Sequence, residues 1–149
     1  MTAARFYKPA NRLADAVDVR FGTRVDDALV KADDAVRNAQ AGMRESIAVW
    51  VEEIGLLCGQ PAPDKARLLW LANGVLGVST ACGLGALSKC GGLFARALEL
   101  MGEGWRQDMG VIYARSLGRF LEGVDQPATE TAVLASLDAM NKRLEAPEA

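Results

Sequence analysis

The sequence predicts an all-α fold: an antiparallel four-helix bundle with an additional N-terminal segment and a C-terminal helix. Three observations carry this expectation. Apolar residues recur at steps of three and four along most of the chain. No segment sustains the period-two alternation of a half-buried strand. The breaks between the periodic stretches are short clusters of Gly, Pro and Asp, and short connections between amphipathic helices favour antiparallel neighbours. With 149 residues the chain can enclose a core, read here as one bundle domain over 23–149 preceded by a tail over 1–22.

The elements follow in order. In the tail, Asn11–Phe21 reads as a short helix, and Arg5-Phe6-Tyr7-Lys8-Pro9 as a segment ordered on contact. From Thr23 to Cys58 the apolar positions Val25, Ala28, Leu29, Ala32, Val36, Ala39, Met43, Ile47, Trp50, Val51, Ile54 and Leu57 form one helical stripe. Gly22 breaks the chain before it, and Thr23 with Asp26 resembles a capping box. Gly42 either splits this stretch in two or weakens a single long helix. Gly59-Gln60-Pro61-Ala62-Pro63 stops it, and Asp64 is a natural N-cap for a second helix from about Lys65 to about Thr80. A third runs from about Leu84 to about Met101, ended by Gly102-Glu103-Gly104. A fourth carries Met109, Ile112, Tyr113, Leu117, Phe120 and Leu121 and ends near Gly123. The last starts at Pro127, a first-turn residue capped by Asp125 or Gln126, and shows Val133, Leu134, Leu137, Met140 and Leu144 on one face.

Composition removes several functions. Half the residues are hydrophobic and 24% charged, a globular balance, and a net charge of -2 exerts no broad pull on nucleic acid or anionic lipid. There is no histidine, which eliminates histidine metal sites, Ser–His and Cys–His pairs and phosphohistidine chemistry. Cys58, Cys82 and Cys90 are odd in number and lack CxxC spacing, so buried reduced thiols in the cytoplasm are expected rather than disulfides or zinc. Met1–Ala10 lacks the apolar core of a secretory signal. No phosphate-binding G-x-x-x-x-G-K-[ST] loop occurs, and Gly83-x-Gly85 is no dinucleotide fingerprint without a βαβ unit. Asp26-Asp27, Asp33-Asp34 and Glu52-Glu53 read as solvated helix faces, and Trp50, Trp70 and Trp105 as core or interface packing. No metal or cofactor is expected.

The informative stretch is Leu68–Ser88, 21 residues without a charge. Its length would span a bilayer. Yet Asn73, Ser79, Thr80, Ser88 and glycines at 74, 77, 83 and 85 argue for a buried helix–turn–helix, as does the lack of an aromatic belt or a basic flank. On a helical wheel Leu68, Leu71, Ala72, Val75 and Val78 share the face that would enter the bundle. Leu69, Asn73, Leu76, Gly77 and Thr80 share another, uncharged and partly apolar, which is either packed as well or offered to a partner.

Leu71-Ala72-Asn73-Gly74-Val75-Leu76-Gly77 followed by Cys82-Gly83-Leu84 resembles the signature of histidine-containing phosphotransfer (HPt) domains, which reads His-x-Leu-Lys-Gly with a second glycine six residues on. Gly77 and Gly83 match the two glycines, and Leu93-Phe94-Ala95-Arg96-Ala97-Leu98-Glu99 is similar to the family's leucine followed by Arg-x-Leu-Glu. The likeness covers about Met43 to Phe120. Two departures decide the chemistry. The phosphoacceptor histidine corresponds to Asn73 and the usual lysine to Leu76. Neutral imidazole attacks an aspartyl phosphate, whereas a carboxamide nitrogen has given its lone pair to the carbonyl, and a leucine cannot hold phosphoryl oxygens. The chain cannot relay phosphate through histidine.

The resemblance therefore implies a non-catalytic binding module of two-component signalling, in chemotaxis or a phosphorelay. It would dock a response-regulator receiver domain or a histidine kinase through Leu69, Asn73, Leu76, Gly77 and Thr80, with Arg44, Lys65 or Lys89 on the rim. Two alternatives stand beside it. In one, Asn73 orients water as a receiver-domain phosphatase. In the other, the chain is a structural or oligomerising helical protein whose 23–58 stripe enters a coiled-coil-like contact.

Overall fold

The computed structural model describes residues 25–123 and 125–145 and places them in five α-helices, with no strand among the described residues. They are α1 (Val25–Cys58), α2 (Lys65–Ala81), α3 (Gly85–Leu100), α4 (Gln107–Glu122) and α5 (Pro127–Glu145). The tail over 1–22 and the capping box at Thr23 lie outside the described residues. By internal contacts the chain divides into two units, parted between Arg37 and Asn38, so α1 contributes to both. In the first unit every side chain from Asp26 to Arg37 is exposed, and Asp34 and Arg37 form an exposed ion pair one turn apart. The packing that follows concerns Asn38–Ala149.

Gly42 does not interrupt α1, which is one unbroken helix past it. The helix stops at Cys58, where Gly59 and the two prolines break the helical ladder. Asp64 caps α2 as expected: its carboxylate accepts a hydrogen bond from the backbone N–H of Arg67 at 2.9 Å. At the other end Gly83 adopts φ +71°, its N–H bonds to Thr80 O and that of Leu84 to Ser79 O. This is the paired bonding of a Schellman stop, and the left-handed backbone at its hinge suits glycine. Gly123, at φ +64°, ends α4 in the same region of φ/ψ space and bonds to Arg119 O. Of the two residues expected to cap α5, Gln126 holds the position before Pro127, and its carbonyl accepts from the Glu130 N–H at 3.0 Å. Asp125 does not cap it: one carboxylate oxygen pairs with Arg119 and the other has no partner among the described residues.

Side-chain contacts fix the directions of the helices. α1 and α2 are antiparallel, since Trp50 meets Trp70 while Glu53, one turn further on, meets Arg67, one turn back. α2 and α3 are antiparallel: Thr80 meets Ser88 at one end, and Lys65 Nζ donates to the carbonyls of Gly102 and Gly104 beyond the other. The start of α4 returns to the end of α1, where Gln107 donates to Gly59 O at 2.7 Å and Trp105 Nε1 to Gln60 O at 3.2 Å. α5 runs alongside α3 in the same direction, with Asn141 on Leu93 O and Glu145 on Arg96.

One core joins these elements, with Ile47, Ile54, Leu68, Leu71, Val75, Phe94, Leu117 and Leu137 among its fully buried members. Burying a side chain of this size removes roughly 1.5–3 kcal/mol of apolar exposure. Phe94 stacks on Tyr113 with ring centroids 5.1 Å apart. The Tyr113 hydroxyl donates to Asn141 Oδ1 at 2.7 Å, and Asn141 Nδ2 donates to Leu93 O at 2.9 Å. This buried relay ties α3, α4 and α5 into one register. The aliphatic spacing of α5 does not reveal it, because the key position, 141, is polar. Among the described residues no helix is long and apolar enough to cross a membrane.

Candidate functional site

The uncharged helix α2 divides as the sequence spacing requires. Leu68, Leu71, Ala72 and Val75 are buried, Val78 is half-buried, and Ser79 joins the core although the wheel did not place it there. The opposite side carries Asn73 and Gly77, both exposed and one helical turn apart. A Cβ built on Gly77 meets no atom within 4 Å. Nothing in the fold itself requires that glycine, although glycine in a helix interior costs about 0.5–1 kcal/mol relative to alanine.

The two glycines closest in sequence type behave otherwise. A Cβ on Gly74 would lie 3.1 Å from the Trp50 ring, and one on Gly91 would lie 3.0 Å from the Leu76 backbone nitrogen and 3.1 Å from Ala72 O. Gly91 is thus where the backbones of α2 and α3 come into contact, and a side chain there would hold them apart. Gly77 stands free of any such duty.

The borders of the Asn73–Gly77 strip are built differently. Toward α3, Leu69 is half-buried in a groove of about 340 Å³ that Leu98 and Glu99 also line. Leu76, 37% exposed, lies over Gly92, whose small size leaves it room. The Thr80 hydroxyl donates to Leu76 O at 2.8 Å and sits 2.7 Å from Ser88 Oγ, which also reaches Leu76 O at 2.9 Å. Thr80 is therefore exposed in position but committed in its hydrogen bonding. Of the rim cations, Arg44 and Lys89 are exposed, whereas Lys65 is half-buried and clasps the loop after α3.

Toward α1 the border is aromatic. Trp70 is 54% exposed, and its ring meets Trp50 edge-on at 5.7 Å. Arg67 covers Trp70 at 4.5 Å and grips Glu53 through two hydrogen bonds of 2.7 and 2.8 Å. The same fork holds the Glu53 carboxyl below the usual carboxylate range. The wheel placed no tryptophan on this face. The signal was present, since Trp70, Asn73 and Gly77 follow at steps of three and four.

Chemically the strip offers hydrogen bonding and apolar contact. Its polar centre is one carboxamide, able to donate and accept hydrogen bonds but not to act as a nucleophile. The three thiols are unpaired and buried, and burial pushes those of Cys58 and Cys90 up to about 12, which keeps them protonated and unreactive at neutral pH. Among the described residues no cluster of Cys, Asp or Glu could hold a metal ion. No protein-family model matches the chain, and no curated protein or solved structure matches it either.

Proposed function

We propose that this chain is an HPt-like binding module of two-component signalling that docks a receiver domain or a histidine kinase without relaying phosphate. The architecture proposed with it is an antiparallel four-helix bundle of HPt type, made by the end of α1 with α2, α3 and α4, to which α5 is added. The observation that carries the reading is the placement of Asn73. It stands exposed in the middle of α2, one turn from a glycine whose missing side chain leaves open space for an approaching loop. Leu69, Leu76 and Thr80 form one border of that surface. Trp70 joins it on the other side as an anchor of the kind that dominates interface energetics. Cytoplasmic residence follows from such a partner.

The test is direct binding of the purified protein to receiver domains and histidine-kinase domains of the same genome. Receivers are used both unmodified and activated with beryllofluoride, which mimics the phosphoryl group. The expected result is saturable binding to at least one partner. Gly77→Trp, which fills the open space without touching the core, weakens it at least about tenfold. Absence of binding to every domain in every state overturns the proposal, as does binding that Gly77→Trp leaves unchanged.

A further inference from the structure

The first half of α1 carries an apolar seam with nothing packed on it, and α2 takes no part in it. From Asp26 to Ser46 every side chain of the helix is exposed. Most helical stability in proteins comes from packing an apolar face rather than from propensity. This stretch has such a face. Leu29, Ala32, Val36, Ala39 and Met43 follow at alternating steps of three and four, the heptad spacing that keeps one seam turned toward a partner helix. Leu29 is 59% exposed and Val36 56%.

Size and charge together name the partner. In a parallel pair of these helices each residue meets its own copy, so Ala32 faces Ala32 and Leu29 crowds Leu29. Reversed about a two-fold axis at the level of residue 34, Leu29 faces Ala39 and Val36 faces Ala32. Each of those layers then holds one large and one small residue, the arrangement that interdigitates. Charge follows the same axis. Between Asp26 and Asp34 stand four carboxylates and one lysine, whereas Ala35–Arg44 holds two arginines and no carboxylate. The helix macrodipole accounts for Asp26 and Asp27 but fades within the first turn, short of Asp33 and Asp34. The ion pair of Asp34 with Arg37, 3.8 Å long and exposed on both sides, is a weak one. Reversal brings Asp33 within one helical turn of the second copy's Arg37, and Asp26 within one turn of its Arg44. The two Asp33 side chains meet near the axis, each beside an Arg37. A parallel pair would instead set acid beside acid. We infer that two copies of this chain associate antiparallel along α1, with Leu29, Ala32, Val36 and Ala39 as the seam.

The experiment is sedimentation velocity on the full chain from micromolar to submillimolar concentration. A concentration-dependent species of twice the chain mass is expected. Val36→Glu places a charge in both central layers and weakens this dimer at least about tenfold. Val30→Glu, at a position 60% exposed and off the seam, leaves it unchanged. Both side chains are exposed in the single chain, so neither variant touches the bundle core. Orientation is read by oxidising two single-cysteine variants, against a low background because the native thiols are buried. Ala35→Cys, beside the axis, links rapidly to its own copy. Ala28→Cys does not, since its copies stand about 18 Å apart along the helices at 1.5 Å per residue. A chain that stays monomeric throughout overturns the inference. So does a dimer that Val36→Glu leaves intact or that Val30→Glu weakens equally, and so does linking of Ala28→Cys as fast as of Ala35→Cys.

Discussion

Replacing Gly91 and Gly77 by alanine, one at a time, separates the two jobs that glycine does in this protein. Both residues lie inside helices, so the gain in helix propensity is the same for each variant, about 0.5–1 kcal/mol. The surroundings differ. At Gly77 the new methyl enters open space, and the gain stands alone. At Gly91 it arrives 3.0 Å from Leu76 N, 3.1 Å from Ala72 O and 3.2 Å from Val75 Cγ1. Ordinary van der Waals contact begins at about 3.4 Å, so α2 and α3 must part by a few tenths of an ångström. Two of the three obstacles are backbone atoms, which cannot swing aside as a side chain can. Overpacking of this kind costs about 1–3 kcal/mol. Gly77→Ala is therefore expected to be more stable than Gly91→Ala by about 1–3 kcal/mol, and more stable than the parent chain. At about 2–4 °C per kcal/mol for a chain of this length, the two melting midpoints should differ by about 2–12 °C. Urea and thermal unfolding followed by far-ultraviolet circular dichroism measure both quantities. If Gly91→Ala proves as stable as Gly77→Ala, the argument that Gly91 sets the spacing of α2 and α3 is wrong.

The other expectations concern the buried polar groups. Tyr113→Phe keeps the ring stack on Phe94 but strands Asn141 Oδ1, and should lower stability by about 1–3 kcal/mol in the same unfolding assay; an unchanged midpoint would remove the relay from the account of α5 docking. Alkaline pH should destabilise the fold through its thiols. Cys58 and Cys90 are pushed by burial from 9.0 up to about 12, so the folded chain keeps protons that the unfolded chain releases. Their contribution is whole below about pH 9 and is lost as pH rises toward 12, with a slope of up to about 1.4 kcal/mol per pH unit for each thiol. Urea midpoints measured through that range should fall more steeply for the parent than for a Cys58→Ala, Cys90→Ala variant, and parallel curves would exclude the thiols as the cause.

The sequence by itself determined the helices and their ends. The period of the apolar residues, the Asp64 cap, the Gly83 and Gly123 stops and the paired prolines act within a few residues of themselves, so they can be read along the chain. It likewise placed Asn73 and Gly77 opposite Leu71 and Val75, because helical spacing alone sets which residues share a face. Only the tertiary structure decided which glycine lies against a neighbouring backbone and which faces open space, since Gly74, Gly77 and Gly91 are identical as letters. It alone held Arg67 over Trp70, buried Asn141 against Tyr113, committed Thr80 to Ser88, and left one oxygen of Asp125 without a partner among the described residues. Arg67 is held there by Glu53 on α1, and the other partners lie 6 or more positions away in the chain, as Arg119–Asp125 and Tyr113–Asn141 illustrate. Packing brings such residues together, and no local periodicity encodes their meeting.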